Sequence, residues 1–591
     1  MSPNDPRTAE QPMPWRRTPR RSRLRRRFVA GAVAVLAASA GVGVLAPSAG
    51  AAPTVDIRVN AGTSLGTVPS SGTGLNTGVG DDHMGTAKVS SLMKAAGVRQ
   101  LRYPGGSGAD VYHWKTHTMD DGYRNPSNTD FDHFMATAKT VGARPIVTAN
   151  YGSGTPQEAA DWVKYANVTK GYGVKYWEIG NEVYGNGYYG DGKGWETDKH
   201  ADKSPREYAK NLVAYAKAMK AVDPKAKIGA VLTTPGGWPD KEKAPGDSAD
   251  WNNTVLSIAG SSIDFAIVHW YPGGTTTDDL LKTPSRIAGV TSELRSLIAK
   301  YTGSHAASVE IAVTENGAVG SPAQTSQAAA LFASDTYMTW FEQGATHVDW
   351  WNLHNGTDQA PTTVNGQIDY QDGGILSAGT CAGGKCEPAR DTPFPIYWGI
   401  RSLTALAKPG DTMVKASSGN TSVAVHAVRS SNGALNVMLI NKSPQNAAPV
   451  SLSYAGYTPA AGAVTTVSYA QGDTALTTTK RGTAAAQTLP PYSITTLQLK
   501  PAPGTAGAAK PTPAPTPTVA APVVSGTTGT RAQGEIGARV DGTTPSSTSG
   551  DLASTGASTT VTYSAVGGLL VIAAGGMLLL RGRRSRALHR K

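Results

Sequence analysis

Cysteine is nearly missing from this chain: among 591 residues only Cys381 and Cys386 occur, in the run CAGGKC. Two thiols without other ligand-type residues close by make a poor metal site, and their closeness favours a small disulfide loop in an oxidising compartment. No G-x-S-x-G occurs around Ser107, where Ala109 takes the place of the last glycine, which removes a serine nucleophile of that kind. His113 and His117 have i,i+4 spacing but lack the Glu of a zincin between them. The Gly-rich phosphate fingerprint of a doubly wound nucleotide-binding sheet is missing too. Nor does the chain body carry a net charge of either sign. The formal charge is +12, but residues 1–51 hold nine Arg against two acidic residues, and residues 556–591 hold six basic and no acidic ones. Between them stand 40 basic and 41 acidic residues. A neutral body has no electrostatic footprint for nucleic acid. No pattern calls for a metal ion or another cofactor, and none is expected.

What is there begins with the two ends. An Arg-rich stretch, Arg16 to Arg27, precedes the apolar run Phe28 to Leu45 and then Ala49-Gly50-Ala51, the order of a signal peptide. Arg25-Arg26-Arg27-Phe28-Val29 resembles a twin-arginine signal, with an Arg-rich Sec signal as the alternative. At the other end Val561 to Leu580 is an uncharged run long enough to cross a bilayer, followed by Arg581-Gly582-Arg583-Arg584. Just before it, Leu552-Ala553-Ser554-Thr555-Gly556 resembles a sortase signal. That resemblance implies cleavage between Thr555 and Gly556, sortase and peptidoglycan as partners, and membrane contact only through the span before sorting. The expected location is outside the cell, on the wall of a Gram-positive, actinobacterial organism. Residues 501–551 are rich in Pro, Ala, Thr, Ser and Gly and read as an extended linker.

From about residue 71 to 404 short β-branched or apolar runs alternate with Ala/Lys-rich helical stretches. The strand-like runs are Gly72 to Asn76, Val98 to Tyr103, Ala143 to Asn150, Val174 to Gly180, Ala226 to Val231, Ile263 to Tyr271, Val309 to Glu315 and His347 to Leu353. Helices over Ser204 to Val222 and Thr325 to Glu342 fall between them. This alternation predicts an α/β fold, a (β/α)₈ TIM barrel. Residues 405–500 lose the helical signals and alternate as in a small C-terminal β-sandwich. Residues 52–70 contribute an early strand, Thr54 to Val59, expected to join that sandwich. The remaining divisions are 1–51 as signal peptide, 501–551 as linker, and 552–591 as sorting signal, span and basic tail.

Barrels of this kind place chemistry at the C-terminal ends of their strands. The fourth strand ends Trp177-Glu178-Ile179-Gly180-Asn181-Glu182, and the seventh ends Thr314-Glu315-Asn316-Gly317. Strands four and seven face each other across the mouth, so Glu182 and Glu315 can converge as the two carboxyl groups that cleavage of a glycosidic bond requires.

An Asn-Glu on strand four with a Glu on strand seven resembles the large clan A of retaining (β/α)₈ glycoside hydrolases. Within it the chain is most similar to family-51 α-L-arabinofuranosidases. Leu101-Arg102-Tyr103-Pro104-Gly105-Gly106 is similar to that family's second-strand motif, Asn150 to Pro156 to its third-strand segment, and Tyr176 to Gly185 to its acid/base strand. Two departures stand out. Asn316 follows Glu315 where the family has Trp, and Gly72 to Asn76 lacks the sugar-binding Glu expected there.

The resemblance implies Glu182 as acid/base and Glu315 as nucleophile, with an oligo- or polysaccharide as partner. Beside the negative charge of Glu315, Glu182 is expected to have a raised pKa. Arg102 is expected to pair with the nucleophile, Asn181 to bond the sugar hydroxyl next to the reacting carbon, and Tyr271 to steer Glu315. Asn150 is a further candidate for binding substrate. His269 is read as either a site residue or a structural histidine, and Trp351 as a floor for a sugar ring or a core Trp. The loop Tyr184 to Tyr189 is expected to expose aromatics along sugar subsites. An endo-acting β-glucanase or xylanase of the same clan, and a non-catalytic carbohydrate-binding protein displayed on the wall, are the alternative readings.

Overall fold

The computed structural model describes residues 53–504, apart from positions 191, 193, 245 and 358, together with 512–513. The signal peptide, most of the linker, the pentapeptide with Thr555 and Gly556, and the run 561–580 lie outside the described residues. The expectation of a transmembrane span and membrane contact is corrected. Among the described residues no helix is long and apolar enough to cross a membrane.

Eight parallel strands close into a barrel. In chain order they are Thr73–Asn76, Gln100–Tyr103, Arg144–Ala149, Tyr176–Ile179, Lys227–Val231, Phe265–Trp270, Glu310–Asn316 and His347–Trp350. All eight fall within the runs read from sequence, extended at most by Asn316. The eighth pairs back onto the first, Val348 opposite Thr73. Both faces of these strands are covered, by the barrel interior and by the helices outside. Their residues are therefore buried at almost every position rather than at alternate ones.

The helices follow their local signals. Ser204 caps Pro205–Val222, its side chain accepting from the Glu207 N–H, with Pro at the first helical position, where its missing N–H costs nothing. Helix Gln327–Glu342 is buried almost all round because the barrel lies on one side and the C-terminal sheet on the other. The helix after the eighth strand, Pro395–Leu406, closes the barrel layer.

The C-terminal part is a ten-stranded sheet that folds over its own apolar core of Ile57, Val414, Leu435, Leu439 and Leu497 among others. The early strand does join it but is longer than expected, Val55–Thr67. It runs parallel to Ala448–Ala455 and antiparallel to Thr412–Ser418, bending at register shifts between Asn60 and Gly66. The other face of this sheet, with Met438, Ile440 and Ile494, belongs to the barrel's core. An ionic cluster crosses that contact. His426 lies 3.1 Å from Asp335 and 2.9 Å from Glu342, and Lys442 lies 2.7 Å from Asp335. Cys381 and Cys386 are joined as a disulfide across a two-residue hairpin.

Candidate active site

Strand seven carries a bulge where it matters. Val313 pairs with Val268 and Glu315 with His269, so Thr314 is the extra residue, and the same break separates strand seven from strand eight. A bulge re-aims the side chains that follow it. Here Glu315 turns to the barrel mouth, level with His269. Asn76, the last residue of strand one, donates from Nδ2 to the Thr314 carbonyl at 2.8 Å and holds the bulge in place. It also accepts from Arg102 at 2.8 Å. The strand-one residue thus braces the site through Thr314 and Arg102.

Arg102 is the hub. It is wholly buried, and its guanidinium donates to Glu178 Oε2 at 2.7 Å, to Glu315 Oε1 at 2.8 Å and to Asn181 Oδ1 at 2.7 Å. Burial alone would lower its pKa, but Glu178 and Glu315 outweigh this and raise it, so the arginine stays charged. The fork spans strands four and seven, a geometry that a lysine's point charge could not supply. Gly106, the second glycine after Pro104, lets the neighbouring ring come close. A Cβ on Gly106 would stand 2.4 Å from the indole of Trp351, which lies against this turn.

Glu182 follows Gly180 and Asn181 out of strand four and sits in the left-handed region, φ 37°. For a residue with a side chain that conformation costs about 1–3 kcal/mol, a strain that clusters at working sites. Its carboxylate takes three bonds: from His269 Nδ1 at 2.8 Å, Trp195 Nε1 at 2.7 Å and Tyr184 Oη at 3.1 Å. One oxygen of Glu182, one of Glu315 and one nitrogen of His269 lie within 4.8 Å of one another. Glu315 is more enclosed, with 6% of its side chain exposed against 18% for Glu182. Tyr271 donates to Glu315 Oε2 at 2.7 Å.

The expected direction of the Glu182 pKa is reversed. Burial pushes this carboxyl up, but the hydrogen bond and charge of His269, with Trp195 and Tyr184, outweigh burial and bring it below the ordinary value. Glu315 goes the other way: burial and the charge of Glu182 raise it beyond what His269, Arg102 and Tyr271 take back. Burial lowers the His269 pKa, yet Glu315 and Glu182 raise it further, and the net shift is upward. The resting site therefore keeps its mobile proton on the imidazole side of the 2.8 Å His269–Glu182 bond. His269 is brought to the carboxylates, its second nitrogen resting 3.2 Å from Thr314 Oγ1.

Not every candidate converges. Asn150 spends its side chain on its own loop: Oδ1 accepts from the backbone of Ser153 and Gly154, both at 3.0 Å, and Nδ2 donates to Ser153 Oγ and to the Tyr112 carbonyl. The aromatics of the 184–189 loop are not exposed as expected. Tyr184 and Tyr189 are buried against Trp251, and only Tyr188 keeps partial access. They fold inward because Trp251 offers apolar edges and Glu182 an acceptor for the Tyr184 hydroxyl.

Sequence reasoning gave no role to Asn76, Glu178, Trp195 or Glu196. Glu178 was visible inside the strand-four motif, and its apolar neighbours marked it as inward-facing. Trp195 and Glu196 lie in a Gly-rich loop whose return to strand four has no signature. Nearby, Asp110 accepts from the backbone N–H groups of Tyr151 and Asn181, and burial pushes its carboxyl up to about 7.

No protein-family model matches the chain. A probable α-L-arabinofuranosidase C of Aspergillus fumigatus is 30% identical over 167 residues, 24% of this chain and 31% of that protein. An intracellular exo-α-(1→5)-L-arabinofuranosidase of Bacillus subtilis is 26% identical over 211 residues, 31% of this chain and 39% of that protein. The matched stretch thus spans about a third of the curated relatives' length. Among solved structures, α-L-arabinofuranosidase from Thermotoga maritima in complex with arabinose superposes with a TM-score of 0.59 at 20% identity, over 75% of this chain and 99% of that one. A bifunctional glucanase-xylanase from a metagenome library gives 0.56 at 17% identity, over 76% and 100%. At these identities the likeness establishes the fold alone, a closed (β/α)₈ barrel with a β-rich C-terminal part.

Proposed function

We propose that this chain is a retaining glycoside hydrolase that removes α-L-arabinofuranosyl units from a polysaccharide. The observation that carries the reading is the convergence of Glu182, Glu315 and His269 within 4.8 Å, with Arg102 and Tyr271 each bonded to one oxygen of Glu315. A separation of this order suits attack by one carboxylate on the sugar carbon while the other protonates the leaving oxygen. Inverting enzymes need room for a water between the pair, at about 6.5–9.5 Å. Arabinofuranosidases among both the partial relatives and the structural neighbours support the choice of sugar.

In this mechanism a Glu315 oxygen forms a bond to the anomeric carbon as the bond to the leaving oxygen breaks. The departing oxygen takes the proton held by the Glu182–His269 pair. Glu182 then accepts a proton from water, the water oxygen bonds to the same carbon, and the Glu315 carboxylate is released. Arg102 and Tyr271 stabilise that carboxylate as it leaves. The Cys381–Cys386 bridge supports work in an oxidising, extracellular setting.

The test is a nitrophenyl-glycoside panel with NMR of the first-formed anomer. Release from the α-L-arabinofuranoside with retained configuration is expected. Turnover of aryl β-glucosides or β-xylosides instead would reassign the sugar. An inverted first product, or no turnover of any glycoside, would overturn the mechanism or the activity.

A further inference from the structure

Beyond Glu178, Glu182 and Glu315, a further acidic side chain reaches the strand-four end of the site, and the proposed reaction leaves it without a task. Glu196 is 6% exposed. Its Oε1 accepts from Asn181 Nδ2 at 3.0 Å and from Ser107 Oγ at 2.6 Å, while Oε2 is buried without a partner. A charged carboxylate with one bare buried oxygen would be costly. Burial, followed by the charges of Asp110 and Glu182, holds this carboxyl well above the usual range.

The loop that presents Glu196 docks on the turn after Glu182. The N–H groups of Trp195 and Glu196 both donate to the Gly185 carbonyl, at 2.9 and 3.1 Å. A Cβ on Gly185 would stand 2.4 Å from the Trp195 indole, so glycine is what allows this approach. Two adjacent residues thereby clamp two adjacent residues: Trp195 bonds Glu182 and Glu196 bonds Asn181.

The clamp settles which way the Asn181 amide faces. Arg102 has no acceptor, so Asn181 Oδ1 must face it, and Nδ2 must face Glu196. One N–H of that amide is then used, and the second has no protein partner among the described residues. We propose that Glu196 is a positioning residue: its Oε1 holds Asn181 so that this second N–H meets the hydroxyl on the carbon next to the reacting one. The proposal rests on the glycosidase reading above. Hydrogen bonds to that hydroxyl strengthen in the transition state and supply several kcal/mol, so a loosened Asn181 should lower kcat more than raise KM.

Glu196→Ala, Glu196→Gln and the unaltered enzyme are compared on an activated aryl glycoside and on its 2-deoxy analogue. On the parent substrate Glu196→Ala is expected to lose about 10–100-fold in kcat/KM, mostly in kcat. Glu196→Gln, whose amide oxygen accepts both bonds, should recover most of that loss. On the 2-deoxy substrate, which lacks the hydroxyl, the loss from Glu196→Ala should shrink to about 2–3-fold. Should Glu196→Ala fail to fold, Glu196→Met fills the space without an acceptor and carries the same comparison. Equal losses on both substrates, no loss on either, or a Gln variant as impaired as Ala would overturn the proposal. Inactivity of the unaltered enzyme on every glycoside would strike the functional reading instead.

Discussion

Replacing Tyr271 by Phe removes one hydroxyl and leaves the ring against the Gly317 turn. That hydroxyl donates to Glu315 Oε2 at 2.7 Å, and the other neighbour of that oxygen is His269 Nδ1 at 3.4 Å. Loss of a charge-assisted hydrogen bond of this kind is worth about 1.5–3 kcal/mol, or about 1–2 pH units in the affinity of Glu315 for a proton. The sign follows from the site. Burial already raises Glu315, Tyr271 is among the groups pulling it down, and its loss raises Glu315 further. The nucleophile must be ionised to attack. The acidic limb of the kcat/KM profile should therefore move up by about 1–2 pH units. The alkaline limb, set by the proton of the Glu182–His269 pair, should stay. The assay is a pH–rate profile on an activated aryl glycoside for both proteins, with folding checked by circular dichroism. An unmoved acidic limb with a uniformly lower plateau would show that Tyr271 acts on the substrate and not on Glu315.

Three further perturbations separate roles that the geometry distinguishes. With azide present, Glu182→Ala should form a glycosyl azide of retained configuration and Glu315→Ala one of inverted configuration; identical products would refute the assignment of the two carboxyls. Asn150→Ala breaks the bonds that close its own loop and should cost about 1–3 kcal/mol of stability with KM unchanged; a raised KM at an unaltered melting temperature would put Asn150 on the substrate. At the contact between helix and sheet, burial lowers His426, but Glu342 and Asp335 hold it up at about 10. Its folded pKa exceeds the unfolded value of about 6.5, so its contribution is complete below that pH and is lost as pH rises through 10. His426→Ala should lose about 3–5 kcal/mol near neutrality and show a flatter decline of unfolding free energy between pH 6.5 and 10; parallel profiles would exclude the cluster.

The barrel was legible because strands covered on both faces must be short apolar runs, and eight such runs separated by helices admit few closures. Helix Pro395–Leu406 was harder to place, since it follows a long irregular stretch after strand eight and adjoins the first strand of the sheet. The site was legible where a motif sits at a strand end, as for Arg102, Glu182 and Glu315. Asn150 shows the limit of that rule. It ends strand three much as Asn181 follows strand four, yet its Oδ1 closes an Asx-type turn onto Ser153 and Gly154. Whether an asparagine turns to its own backbone or into the mouth depends on the next few φ angles, which residue type leaves open. Asn181 is spared because Arg102 and Glu196 occupy it from both sides.

The reversed pKa of Glu182 has a similar origin. Two facing carboxylates considered alone repel, and the one donating the proton should titrate late. The fold adds two cations to that pair, and they are unevenly placed: Arg102 bonds Glu315, while His269 stands 2.8 Å from Glu182 and 3.4 Å from Glu315. The imidazole therefore takes the proton that an isolated pair would have left on Glu182. In the proposed reaction the leaving oxygen arrives beside Glu182, and a proton shift across one 2.8 Å bond rearms the acid. On this view His269 is as necessary to the donor as Glu182 itself. Its place in strand six, Val268-His269-Trp270-Tyr271, sets it next to the tyrosine that bonds the nucleophile, so a single segment of chain reaches both carboxyl groups.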